Sequence, residues 1–170
     1  MAKKVSTYGI LVCLALIFAY VERFFILPIS VPGIKLGFAN IVTLLALYLV
    51  PWQGALLISV GRVLLSTLLF SSPGSLLFSL GGCLLSFFVM LGAKRSGLFS
   101  VTGLGVCGGV FHNIGQIAVA ACVIQNIYLL GYLPILMVAG SICGFITGKI
   151  SFYVLRQLRH SHILPPEEKN

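Results

Sequence analysis

Acidic side chains are almost missing from this chain. Aspartate is absent, and the only glutamate before the terminal Glu167-Glu168 pair is Glu22. Charged residues of both signs make up 8% of the 170 residues, against roughly 25% in soluble domains. A chain with 59% hydrophobic residues and so little charge would aggregate in water, so its solvent is a bilayer. Cysteine forms no pattern either. Cys13, Cys83, Cys107, Cys122 and Cys143 stand singly with no CxxC, which argues against a metal or disulfide framework and for small apolar packing residues. No nucleotide-binding P-loop is present, so energy for any pumping has to come from a partner ATPase or an ion gradient.

What is present is a set of apolar runs between breakers. One domain of this length supplies about six spans of ~20 residues, read here as 8–27, 36–50, 52–70, 75–93, 101–123 and 133–155. The second is short and is expected to begin with an irregular stretch shielded by protein. The first continues past Tyr20 without a small-residue cleavage site before Glu22-Arg23, so it reads as a retained helix and not a signal peptide. Residues 1–156 form a single transmembrane domain and 157–170 a polar tail. The net charge of +8 does not indicate nucleic acid, because Lys3, Lys4, Lys94, Arg95, Arg156 and Arg159 fall at alternate span ends. The positive-inside rule puts those ends, both termini and the tail in the cytoplasm. Glycines line the spans, and the GxxxG at Gly140–Gly144 continues to Gly148. Internal bundle packing is its first reading, ahead of dimerisation.

The few polar residues inside the runs carry the functional information, since an ionisable group there costs on the order of 2.5–3.5 kcal/mol. Counting along each span puts Glu22, Lys35, Asn40, Arg62, His112, Asn113 and Gln116 where they reach one cavity open to the outside. His112 and Gln116 share a helix face at i and i+4. Arg62 cannot be deprotonated. It therefore needs Glu22, helix carbonyls or an anionic ligand, and both a structural pairing of Glu22 with Arg62 or Arg23 and a ligand role stay open. Haem ligation by His112 has no second axial histidine within a span. The connection at 28–37, stiffened by Pro28 and Pro32, reads as a short rim or lid with Lys35 as its only charge. Membrane lipid and a small-molecule ligand are the expected partners.

Glu22-Arg23-Phe24-Phe25-Ile26-Leu27-Pro28, the PGxKLGxANI pattern from Pro32 to Ile41, Gly61-Arg62, Gly81-Gly82 and the HNxGQ pattern at 112–116 together resemble the "Gx transporter" family, long labelled heptaprenyl diphosphate synthase component I. The likeness runs from Tyr8 to about Leu155. The architecture it implies is that of the S components of energy-coupling-factor importers: an all-α, six-transmembrane-helix bundle of a prokaryotic cytoplasmic (inner) membrane with an outward-facing pocket. In those proteins an AxxxA patch on the first helix docks on a transmembrane coupling subunit that works with ATPases. Ala15 and Ala19 fit that patch. The synthase label conflicts with the chemistry, because prenyl chain elongation needs clustered aspartates to hold magnesium on a diphosphate, so no catalytic residue and no metal ligand are expected. Relatives beside flavin-binding partners imply an alternative, a membrane subunit handling flavin or quinone electrons. No covalent flavin-attachment motif and no other cofactor is evident.

Overall fold

The computed structural model describes residues 2–22, 24, 35, 37–71 and 73–161. The order is α1 (Ala2–Glu22), α2 (Asn40–Leu49), α3 (Trp52–Phe70), α4 (Ser75–Arg95), α5 (Val101–Ile124), a 3-10 helix (Ile127–Tyr132) and α6 (Leu133–His160), with no strand among the described residues. Helix ends follow local chemistry. The Ser100 side chain accepts from the Gly103 N–H at the start of α5, a conventional N-cap. Gln125 ends the same helix in the left-handed conformation, φ 53. Pro134 occupies the first turn of α6, where a missing N–H costs nothing.

Four helices, α3, α4, α5 and α6 with its preceding 3-10 turn, are long and apolar enough to cross a membrane; α1 and α2 contribute shorter apolar helices. The six expected spans correspond to six α-helices, four of them long and apolar enough to cross a membrane. α1 ends at Glu22, and α2 begins at Asn40, after the irregular stretch expected at the start of the second run. Gly37 is the reason for the late start: its φ of 89 lies outside the helical region, which breaks any continuous helix through it. The ten residues of α2 cover ~15 Å, half of a ~30 Å hydrocarbon core. Residues 40–47 are all buried, so α2 is the central rod of the bundle, packed by α1, α3, α4, α5 and α6. A helix apolar all round belongs there.

Backbone-to-backbone contact holds α5 between α4 and α6. Gly105 and Gly109 of α5 meet Gly140, Gly144 and Gly148 of α6, while Gly115 meets Gly81 and Gly82 of α4. The GxxxG run thus packs inside the molecule. Numbers rise on α5 as they fall on α4 and α6, so both pairs are antiparallel. α1 and α3 run parallel, with Tyr8 against Gly54 near their starts and Tyr20 against Phe70 near their ends. These directions bring Lys3 and Lys4, Lys94 and Arg95, and Arg156 and Arg159 to the same end of the bundle.

The N-terminal end of α2 lies inside protein and its C-terminal end is half-buried, and both need partners for their backbone groups. At the C-terminal end the Lys94 ammonium donates to the Leu47 carbonyl and sits 4.3 Å from the centre of the Tyr48 ring. At the N-terminal end the Glu22 carboxylate accepts from the Gly37 N–H and, at 3.3 Å, from the Phe38 N–H. A carboxylate at the positive end and an ammonium at the negative end both complement the helix dipole. Ala15 has no exposed surface and belongs to the apolar core around α2, while Ala19 is half-buried. A residue inside the bundle offers nothing to a partner, so the expected docking patch loses Ala15 to internal packing.

Candidate functional site

The polar residues converge beside the N-terminal end of α2. Glu22 closes α1, Lys35 and Gly37 precede α2, Asn40 opens it, Arg62 sits mid-way along α3, and His112 and Gln116 project from the middle of α5. Glu22, Asn40, Arg62, His112 and Gln116 are buried and Lys35 is half-buried. Small residues make this convergence possible. A Cβ on Gly82 would stand 2.6 Å from the Gln116 side chain and 3.0 Å from His112 Nδ1, and one on Gly37 would stand 3.1 Å from the His112 ring. Gly108, one turn before His112, leaves the space taken by the Asn40 amide and Met90.

A directional hydrogen-bond chain fixes the protonation of this cluster. The Lys35 backbone N–H donates to Gln116 Oε1 at 3.0 Å, and only the amide oxygen can accept it. Gln116 Nε2 is then the donor to His112 Nε2, 3.0 Å away. His112 must offer a lone pair at Nε2, which makes it neutral with its proton on Nδ1, facing Gly82.

Arg62 is 5% exposed, and among the described residues its Nε and Nη2 have no hydrogen-bond partner. Glu22 lies within electrostatic reach of the guanidinium, yet its hydrogen bonds go to the backbone at Gly37 and Phe38. Of the two readings left open by the sequence, a Glu22 engaged by hydrogen bonds to Arg62 is not what the structure has. Asn113 takes a different direction from its neighbours: its Nδ2 reaches across Gly140 to donate to the Leu136 carbonyl at 2.7 Å, tying α5 to α6. Cys83 also lies beside Arg62, with its thiol donating to the Ser59 carbonyl at 3.4 Å. Among the described residues no group of three or more histidine, cysteine, aspartate or glutamate side chains is placed to hold a metal. The rim or lid expected at 28–37 falls largely outside the described residues, as do Arg23 and the end of the tail.

Two contributors escaped the sequence reading. Lys94 looked like a span-end charge, and its partner at Leu47 is 47 residues away. Cys83 carried no signal beyond its position on a span. The shortness of the second apolar run was the usable clue to the first, since the last carbonyls of a short, half-buried helix need a partner.

No curated protein and no solved structure matches the chain. The family described as heptaprenyl diphosphate synthase component I matches residues 11–154, which includes Glu22, Lys35, Asn40, Arg62, His112, Asn113 and Gln116. On that span, well over half of its length, the chain belongs to the heptaprenyl diphosphate synthase component I family.

Proposed function

We propose that this chain is a membrane-embedded binding and transport subunit for a small molecule, comparable in role to the S components of energy-coupling-factor importers. It works with a separate energising module, because the sequence has no P-loop. The observation that carries this reading is the convergence of polar side chains from α1, α2, α3 and α5 at mid-bundle, with buried donors on Arg62 unmet among the described residues. Structural polar groups in a bundle satisfy one another; a set with unmade donors is suited to a ligand. The half-length α2, which starts at this level, fits the use of interrupted helices at mid-membrane binding sites. Enzymatic prenyl elongation is not part of the reading, since the chain has no aspartate with which to hold a magnesium diphosphate. The basic end of the bundle faces the cytoplasm by the positive-inside rule, and the site then opens to the opposite side.

The test is the compound that copurifies with the full chain after extraction in a mild non-ionic detergent, identified by mass spectrometry and visible absorption. A solute without redox activity, recovered near one equivalent per chain, is the expected result. A flavin or quinone would replace import by the alternative, an electron-transfer subunit. No compound in any preparation, together with no response to any added solute, would contradict a binding role.

A further inference from the structure

The two unpartnered nitrogens of Arg62 are not an arbitrary pair. Around a guanidinium, Nη1 lies on the Cδ side and Nη2 on the side of the Nε–H bond. The Nε–H and one Nη2–H therefore point the same way along one edge. That edge spans two oxygens of a single carboxylate or phosphate, the bidentate geometry for which arginine is suited and lysine is not. Both nitrogens are buried and neither has a partner among the described residues. We propose, resting on the binding reading above, that the solute carries a carboxylate or phosphate group that docks side-on against the Nε–Nη2 edge of Arg62.

Charge at the site supports the same ligand class. Arg62 and Lys35 are the cations acting on Glu22, and Glu22 is the one carboxylate among them. Its oxygens are engaged by the Gly37 and Phe38 N–H groups. His112 is held neutral by the Gln116 amide, so it adds no charge of either sign. The Arg62 guanidinium is a permanent buried cation with an open edge among the described residues, and the positive end of α2 adds to the field there. An oxoanion neutralises that cation and fills the open edge in one step. Its source is a free solute and not a lipid headgroup: Arg62 stands ten residues after Trp52 and eight before Phe70, roughly 12–15 Å from either end of α3, and is 5% exposed.

The test uses the full chain in non-ionic detergent with three probes: benzoate, inorganic phosphate, and benzamide as the neutral counterpart of benzoate. Benzoate or phosphate is expected to raise the melting temperature of the wild type in a saturable way, and benzamide is not. Arg62→Lys keeps the charge and loses the parallel edge, so the fitted affinity should fall by roughly tenfold or more. Arg62→Gln, which has donors but no charge, is the second variant should the first fail to fold, and it should lose the response entirely. A benzamide response equal to that of benzoate, no response to either anion, or wild-type affinity in the variants would overturn the proposal. So would stabilisation of the wild type, but not of the variants, by phosphatidylglycerol over phosphatidylcholine nanodiscs, since the oxoanion would then belong to a lipid. A neutral copurifying compound would overturn the oxoanion while leaving the binding reading intact.

Discussion

Glu22→Ala is expected to destabilise the fold by about 3–5 kcal/mol, the range for stripping one partner from a buried charged contact. Two losses combine. The Gly37 and Phe38 N–H groups lose their acceptor at the buried start of α2, at roughly 1–3 kcal/mol for each stranded group. Arg62 and Lys35 also lose the carboxylate that offsets them. Glu22→Gln keeps an acceptor oxygen in place, so less than half of the loss is expected from it. Thermal melting of both variants in the same detergent checks this. Because the carboxylate's hydrogen bonds go to the backbone and not to Arg62, making both residues apolar should not restore wild-type stability. Full rescue by the double change would mean that the two were a charge pair after all.

Gly109→Leu is the other large expected effect. A Cβ at this position would run into the Gly140 carbonyl and stand 3.0 Å from the Gly144 Cα, so the obstacle is backbone on the facing helix and not a side chain that can turn away. α5 and α6 would have to separate, at the upper end of the roughly 1–3 kcal/mol range of overpacking or beyond it. The Asn113 bond to Leu136 on the same seam would be strained or lost with it. A sharp fall in folded yield and melting temperature is the expected reading, whereas Gly92→Leu, with open space around that glycine, should leave both unchanged. Equal tolerance at the two positions would contradict the packing described for α5 and α6.

Much of the fold could be read from hydropathy because lipid forces each span to be apolar and to satisfy its own backbone. α3 was placed to the residue, and α4 and α5 within two residues of their ends. Hydropathy sees apolar content and not backbone conformation, so the run from Tyr8 extends beyond α1, which ends at Glu22. The shortness of the second run did signal an irregular start, and the chain turns through a left-handed angle at Gly37 before α2 opens at Asn40. Residues 133–160 form one helix, five residues longer than the apolar run, because arginine and histidine complete the last turn without being apolar. For the site, i and i+4 spacing found the His112–Gln116 face, and the cost of a buried charge singled out Glu22 and Arg62. Spacing along one helix could not show that Asn113 turns to α6, nor that the Glu22 oxygens meet backbone N–H groups and not Arg62. Those outcomes depend on which helix lies alongside, which a single sequence does not state. Ala15 shows the same limit, since alanine suits both a docking face and a tight internal contact, and the bundle has used it internally.

The central claim, that the mid-bundle polar cluster binds a solute and is not a set of helix ties, is tested most directly by affinity measured beside stability. The variant is Gln116→Leu, which breaks the chain from the Lys35 N–H through Gln116 to His112. The ligand is the copurifying compound, titrated into wild-type and variant protein in the same nanodiscs. The account predicts an affinity at least tenfold weaker with a loss of unliganded stability no greater than about 1–3 kcal/mol, the cost of the stranded N–H. Unchanged affinity in a variant that melts as a folded protein would contradict it.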